Sequence, residues 1–227
     1  MIRPWTASLA PAGLCLALGC IASQNITLGY RDISFAFGQI KQGTTIKVVV
    51  ADNVDLRDFQ NSFEKEYQSD GVFIGMVCRQ IADSMNKILG CEASASENPE
   101  EAALFAEASI DESAVNRIHA FLASTPEDYY CAVNTVTIAN KRVTTAPMSM
   151  VGPAGGGGNF VGGSTSETAM VTMHVDIWNV KDKKKVLSYA AMGESAVTML
   201  FYGTALRNAV NQAVENMVRY LGTGEGR

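Results

Sequence analysis

The residues from Val171 to Trp178 alternate strictly between two kinds of side chain. Aliphatic and sulfur-containing side chains occupy every second position, and polar or aromatic ones stand between them: Val171, Met173, Val175 and Ile177 against Thr172, His174, Asp176 and Trp178. Because successive residues of a strand point to opposite faces of a sheet, the pattern predicts a strand with one face in the core. A lysine-rich turn over residues 179–185 and a second apolar run over residues 186–192 predict its antiparallel partner.

Three further segments have the pattern of regular elements. Residues 45–51 are β-branched and almost continuously apolar, which is typical of a strand covered on both faces. Over residues 72–89, apolar side chains recur at steps of three and four, and Gly90 follows, so we expect an amphipathic helix that ends there. The same spacing over residues 203–221 predicts a closing helix.

The segments between these elements are less regular. Residues 52–70 are polar and lack a sustained period, which indicates a long loop. Residues 91–126 are rich in Ala, Glu and Ser and should hold one or two helices, and residues 129–143 have the composition of a strand. Residues 147–166 contain two glycine runs between strand-like segments, and we interpret them as a Gly-rich hairpin flap. The order predicts an α+β fold, with a mostly antiparallel sheet packed by amphipathic helices.

The first twenty residues have the layout of an export signal. A segment with one positive charge, Arg3, precedes an apolar stretch of about ten residues, and Gly19-Cys20 follows. This order resembles the bacterial lipobox, whose cysteine receives diacylglycerol on its sulfur, although Ala17 stands where that motif usually has leucine. The resemblance implies cleavage before Cys20 and lipidation of Cys20, and Ile21 in place of aspartate implies the outer membrane. An ordinary signal-peptidase site beside a cysteine is the alternative.

The chain divides into four parts on this interpretation. Residues 1–19 form the lipoprotein signal peptide, and residues 20–43 form the lipidated cysteine and a tether with a short strand at residues 33–37. A single domain follows over residues 44–222, and residues 223–227 form a frayed tail.

The charge balance argues against nucleic acid as a partner. The chain has 18 basic and 23 acidic side chains, so it has no general positive field that would attract phosphate backbones.

The chain also has no run of the ~18 apolar residues that a membrane-spanning helix requires.

Three cysteines belong to the predicted domain: Cys78, Cys91 and Cys131. If the chain works outside the cytoplasm, at most one intramolecular disulfide can form among them. We expect Cys91 with Cys131, although the sequence does not supply connectivity.

No familiar catalytic or metal-binding arrangement is found in the sequence. His119 and His174 are the two histidines, and neither belongs to a motif with metal-ligand spacing. The segment Gly193-Glu194-Ser195 lacks the second glycine of a nucleophile elbow, and the glycine runs lack the lysine of a P-loop. We therefore expect no enzymatic activity, no cofactor and no metal.

The hairpin formed by residues 171–192 offers candidates for a contact surface. Lys183 and Lys184 could touch anionic partners, and Trp178 and Tyr189 could lie near each other across the two strands. Alternatively, the lysines form a solvated turn and the aromatic rings cover the sheet.

Most of the chain after the export signal resembles a known family. Residues 127–136, the Gly-rich hairpin, residues 169–181 and a closing helix that begins near Ala205-Leu206 resemble the strands and helix of the curli-secretion lipoproteins and the related penicillin-binding-protein activator lipoproteins. Two features depart from that pattern, because residues 181–184 lack the usual Thr-Gly turn and Asn134 stands where glycine is common. The resemblance implies a periplasm-facing, non-catalytic domain that binds proteins, with a ring-shaped homo-oligomer as one form.

Taken with the export signal, these features favour a lipid-anchored envelope protein that assists secretion, assembly or cell-wall synthesis by binding protein partners. The sequence is also compatible with two other functions: a ring-forming outer-membrane channel component of the curli type, and an envelope hydrolase with an unrecognised site. Residues 151–166 lack the alternating apolar run of ~10 residues that a membrane strand needs, which disfavours the channel.

Overall fold

The computed structural model describes residues 25–108, 112–144, 148–150, 159–161, 165–198 and 201–225. Seven strands form the main sheet: β1 (Ile26–Arg31), β2 (Thr45–Val50), β3 (Val54–Leu56), β4 (Glu92–Ala95), β5 (Tyr129–Thr144), β8 (Thr165–Asn179) and β9 (Lys184–Ala196). A separate pair consists of β6 (Met148–Met150) and β7 (Asn159–Val161). The helices are α1 (Gln60–Tyr67), α2 (Asp70–Leu89), α3 (Pro99–Ala108), α4 (Glu112–Leu122) and α5 (Tyr202–Thr223).

The main sheet is mixed rather than mostly antiparallel. Its order is β1-β9-β8-β5-β2-β4, and β3 pairs with β5 beyond the end of β2. The β1, β9, β8 and β5 strands pair antiparallel, whereas β2, β3 and β4 all join by parallel pairing. The parallel half arises because helices connect β2 to β4 and β4 to β5, and such crossovers return the chain in the same direction. The predicted α+β class is confirmed, and the parallel half corrects the expected pairing.

Two apolar clusters lie on opposite faces of the sheet. On one face, α2 and α5 pack over the centre of the sheet, and Phe73, Ile81, Val210 and Met217 are fully buried there. On the other face, α3 and α4 cover a smaller cluster around Phe105. None of the described helices is long and apolar enough to cross a membrane.

The strongly periodic segments form the predicted elements. The strand predicted over residues 45–51 is β2, and the helix predicted over residues 72–89 is α2. The N-terminus of α2 is capped by the Ser69 hydroxyl, which accepts a hydrogen bond from the Val72 amide, and its C-terminus is capped by Gly90 in the left-handed conformation.

The prediction of a long loop over residues 52–70 was wrong. This segment holds β3 and α1, and α1 buries Phe63 and Tyr67 against Phe73 of α2. Two buried aromatic rings four residues apart hold a helix of eight residues in place. Because α1 is only two turns long, its apolar spacing does not repeat often enough to be recognised.

The segment expected to be a tether joins the fold from Ile26 onward. Residues 26–31 form β1, which pairs with β9 at the edge of the sheet, and Phe35 and Ile40 are buried in the larger cluster. The strand expected at residues 33–37 does not form, because Asp32 and Ser34 build a turn that leaves Ile33 fully exposed. At the other end, α5 runs to Thr223, the first residue of the expected frayed tail.

Candidate functional site

The longest hairpin of the sheet extends beyond its neighbours. The β5 and β8 strands pair from Tyr129–Asn179 to Thr144–Thr165, whereas β9 accompanies β8 only as far as Thr168 and β3 accompanies β5 only as far as Ile138. Past Thr168, the described part of this hairpin is therefore a two-stranded ribbon.

The short β6–β7 pair continues the same register. From the pair Thr144–Thr165 to the pair Met148–Val161, each strand advances by four residues, and both pairs are antiparallel. We call the four segments 141–144, 148–150, 159–161 and 165–168 the hairpin arm. The glycine runs at residues 155–158 and 162–163, which were interpreted as a flap, lie outside the described residues.

Polar contacts hold the root of the hairpin arm. Arg142 and Glu167 stand directly opposite each other and form an ion pair at 2.7 Å, and the Tyr202 hydroxyl donates to the same carboxylate at 2.9 Å. Lys141, on the other side of the ribbon, pairs with Glu194 at 3.7 Å. The four residues from Lys141 to Thr144 are nevertheless exposed, including half of the Val143 side chain.

One face of the antiparallel half of the sheet has no helix over it among the described residues. Three rows of directly opposed residues cross β5, β8 and β9 there, and none of them is buried: Thr135, His174 and Ala190; Thr137, Thr172 and Met192; Ala139, Met170 and Glu194. We call these nine residues the open sheet face. It is continuous with the hairpin arm through the Lys141–Glu194 ion pair. The alternation of residues 171–178 could have indicated this face, because its outward positions are small, polar or moderately apolar.

Trp178 and Tyr189 do not lie near each other across the hairpin, and both rings instead cover the sheet, which was the alternative interpretation. Trp178 pairs with Lys185 in the sheet register and lies in the smaller cluster, with its ring edge-on to Phe105. Tyr189 lies on the opposite face, where its hydroxyl donates to the Met217 carbonyl in α5. A register shift between Ile177 and Trp178 interrupts the strand, and both rings are buried rather than presented to a partner.

The lysine turn is partly occupied by internal contacts. Lys183 is exposed in the left-handed conformation, whereas Lys184 forms an ion pair with Asp32 at 3.0 Å. Asp32 also accepts hydrogen bonds from the side chain and the backbone amide of Ser34. These contacts, first those of Ser34 and then that of Lys184, hold the pKa of Asp32 well below its usual range. Lys184 therefore ties the hairpin turn to the end of β1.

A buried polar group stands beside the smaller cluster. Asp176 is almost fully buried, and it accepts a hydrogen bond from the Asn134 amide at 2.9 Å and pairs with Lys185 at 3.3 Å. Asn134 occupies the bulge of β5, between the register positions of Val133 and Thr135. The side chain of Asn134 thus donates a hydrogen bond to a buried carboxylate. Glycine at this position has no side chain that could do so.

The expected disulfide between Cys91 and Cys131 is absent. Cys78, Cys91 and Cys131 are all buried free thiols. Cys78 donates to the Val48 carbonyl at 3.3 Å, so its sulfur is turned toward the β2 backbone. Burial raises the pKa of all three thiols, and Cys131, which is completely buried, is affected strongly. Cys20 lies outside the described residues.

The candidate catalytic residues do not come together. In the part of the chain that the structure describes, neither histidine hydrogen-bonds to Ser195, and His174 is exposed on the open sheet face. Ser195 stands opposite Ala169. Among the same residues, no group of three His, Cys, Asp or Glu side chains could hold a metal ion.

No family model and no curated protein matches the chain. Solved structures of other bacterial proteins are similar over most of its length. A putative neuraminyllactose-binding hemagglutinin homolog from Helicobacter pylori aligns with a TM-score of 0.41 and 10% identity, over 86% of this chain and 94% of the other. The PelC dodecamer from Paraburkholderia phytofirmans aligns with a TM-score of 0.35 and 8% identity, over 84% and 93%. Lipoprotein GNA1162 from Neisseria meningitidis aligns with a TM-score of 0.33 and 13% identity, over 74% and 96%.

Proposed function

We propose that this protein is a lipid-anchored, non-catalytic component of the cell envelope that binds protein partners through the hairpin arm and the open sheet face. The observation that carries the proposal is the extension of two strands beyond the rest of the sheet in one register, with Lys141 to Thr144 exposed at the root of the extension. Binding of partners at this surface would serve secretion, assembly or cell-wall synthesis.

The physical argument rests on the cost of an isolated ribbon. Two paired strands without a packed face are only marginally stable in water. Both outer edges of such a ribbon offer unpaired backbone amides and carbonyls, which a strand of another chain can pair with. A partner that covers the hairpin arm would supply the contacts that the described body does not.

The anchor is proposed from the N-terminal residues. Lipid on Cys20 would hold the domain at a membrane, because each buried CH₂ group contributes ~0.8 kcal/mol of membrane affinity. Ile21 in place of aspartate favours the outer membrane, with the domain facing the periplasm. Strand β1 begins at Ile26, only a few residues after this cysteine in the chain, so a lipid on Cys20 would hold the domain near the membrane surface.

Shortening the hairpin arm tests the proposal. Thr144 stands directly opposite Thr165, so an Asn-Gly turn can join the two residues and replace residues 145–164. We expect crosslinked pull-downs from intact envelopes to lose the partners that the unaltered chain captures. Lys181→Gln, in the exposed turn at the opposite end of β8, is the control and should retain them. Capture of the same partners by the shortened variant would refute the assignment to the hairpin arm.

A ring-forming channel component is the second candidate, favoured by the same continuous register. The β6–β7 pair prolongs the hairpin, and a longer hairpin is what a barrel strand pair would require. Light scattering of the purified protein in detergent decides between the two forms. A discrete oligomer that falls apart when the hairpin arm is shortened supports the ring, and a monomer in both cases supports the peripheral binder.

A further inference from the structure

In the parallel half of the sheet, the connections that follow two neighbouring strands leave toward opposite faces. After β2, the chain passes to α2 on the face of the larger cluster, and it returns to β4. After β4, it passes to α3 on the opposite face and crosses back over β2 to reach β5. The β2 and β4 strands are parallel neighbours whose following connections leave toward opposite faces. In open sheets with helices on both faces, ligands bind in the crevice outside the carboxyl ends of such strands.

A cavity of about 610 Å³ lies at this place. Its floor is formed where β2 ends, at Val50 and Ala51, and one wall is the first half of α2. One face of α3 forms the opposite wall, with Ala102 and Ala106. The volume falls in the range of sites that hold small molecules.

Small residues keep the cavity open. Gly71 and Gly75 lie one turn apart on α2 and line the cavity, and a Cβ at either position would meet no atom within 4 Å. The facing wall of α3 carries alanines. The two helices are therefore kept apart because they pack on opposite faces of the sheet. The small residues on both walls leave the space between the helices empty.

Acidic side chains outnumber basic ones around the cavity. Asp52 and Glu97 lie two residues after the ends of β2 and β4, line the cavity and are exposed. Neither is ion-paired to a cation of the described body. Glu107 is held by Arg117, which leaves Arg79 as the cationic side chain that lines the cavity. Two unpaired carboxylates against one guanidinium give the mouth a net negative charge.

We propose that this crevice binds a small molecule with an apolar body and a single positive charge. The apolar body fills the space between α2 and α3, and the ammonium group lies at the mouth near Asp52 and Glu97. This site is separate from the hairpin arm and does not depend on the function proposed for it.

Three naphthalene probes of equal ring size test the charge preference: naphthylmethylamine, naphthylmethanol and naphthylacetate. Binding to the purified full chain is measured by saturation-transfer difference NMR and calorimetry, with the same lipid or detergent carrier as the blank. We expect the amine to bind about fivefold more tightly than the alcohol, because a partly exposed charge pair contributes up to about 1 kcal/mol, and the acetate to bind more weakly than either. Equal binding of the three probes, preference for the acetate, or no binding would overturn the proposal.

Four variants test the location. Gly75→Leu grows a side chain into open space and should abolish binding, whereas Lys87→Leu, on the same helix but away from the cavity, should leave it unchanged. The double variant Asp52→Asn with Glu97→Gln should remove the preference for the amine and leave the alcohol bound. If Gly75→Leu fails to fold, as judged by near-UV circular dichroism, Ala103→Phe fills the cavity from α3 instead. Unchanged binding in a folded filling variant would overturn the assignment to this crevice.

Discussion

At Gly193, strand β9 passes α5 with no room for a side chain. A Cβ placed there would overlap the Ala209 carbonyl oxygen and the Ala213 amide of α5. These are backbone atoms in the middle of a helix, so they can yield only if α5 moves away from the sheet. The glycine is therefore required by close packing of a strand on a helix, and this explains its presence two residues before Ser195 without a nucleophile elbow.

We expect Gly193→Ala to lower the free energy of unfolding by about 3 kcal/mol, at the upper end of the usual cost of overpacking. Urea denaturation measures the change. Gly71→Ala is the matched control, because a Cβ meets nothing there and the helix gains about 0.5–1 kcal/mol from reduced backbone freedom. An equal effect of the two substitutions would contradict the packing argument.

The contacts of Asp32 predict a dependence of stability on pH. Because its pKa is lowered in the folded chain, its ionised form stabilises the fold above the unfolded pKa, and that stabilisation is lost as the pH falls through the folded value. We expect Asp32→Asn to be less stable than the unaltered chain near neutral pH. The difference should shrink as the pH falls below about 4, the usual pKa of an unfolded aspartate, and it is followed by urea midpoints across the acid range. A constant difference across that range would argue against the role of ionised Asp32.

The three thiols of the body should behave as buried core groups. Burial raises the pKa of Cys78, Cys91 and Cys131, so little reactive thiolate is present in the folded chain. Iodoacetamide should modify them only after denaturation, as judged by mass spectrometry of the peptides. Recovery of a peptide pair linked through Cys91 and Cys131 would contradict the structure.

At the scale of elements, α3 is held to the sheet by aromatic packing. Phe105 is fully buried, stacks on Tyr130 with ring centroids 5.0 Å apart, and meets Phe121 and Trp178 edge-on. The same helix forms one wall of the cavity at the end of β2 and β4. One ring therefore anchors α3 and keeps the cavity wall in place.

We expect Phe105→Ala to cost about 3–5 kcal/mol in urea unfolding, the usual range for a buried phenylalanine. The near-UV circular dichroism of the ring cluster should weaken as well. Leu104→Ala is the matched control on the same helix, because Leu104 is only partly buried and should cost less than Phe105. A loss for Phe105→Ala no larger than that for Leu104→Ala would contradict the anchoring role.

At the scale of the whole molecule, we expect the hairpin arm to contribute little to the stability of the body. The two apolar clusters lie on residues of the body, and residues 141–144 and 165–166, at the root of the hairpin arm, are exposed. Its root is held by surface ion pairs such as Arg142–Glu167, which contribute little to stability.

The variant with Thr144 joined to Thr165 should therefore unfold within about 1 kcal/mol of the unaltered chain, as measured by urea denaturation. The short Asn-Gly turn matches the register, so no pairing of the body is lost. A large loss of stability would mean that the hairpin arm belongs to the cooperative body.

Much of the fold could be predicted from local pattern. A strand with one buried face has an apolar residue at every second position, and a helix with one buried face has apolar residues at steps of three and four. Helix α2, strand β2 and the β8–β9 hairpin were predicted on these grounds, and the structure confirms them. Short elements were missed because α1 and β3 are too brief for a period to repeat. The site was predicted least well, because Trp178 and Tyr189 alternate correctly along their strands, and a register shift puts them on opposite faces.

By itself, the sequence determined that the strongly periodic segments become β2, α2, β8, β9 and α5, that α2 ends before Gly90, and that a lysine turn joins β8 to β9. Only the tertiary structure decided that β2, β4 and β5 run parallel, that the open sheet face has no helix over it in the described residues, and that a crevice remains between α2 and α3. The physical reason is that a residue pattern reports how one segment divides its own surface between core and solvent. Which segments meet depends on the path of the connections between them, and residues far apart in the chain have to come together before that path exists.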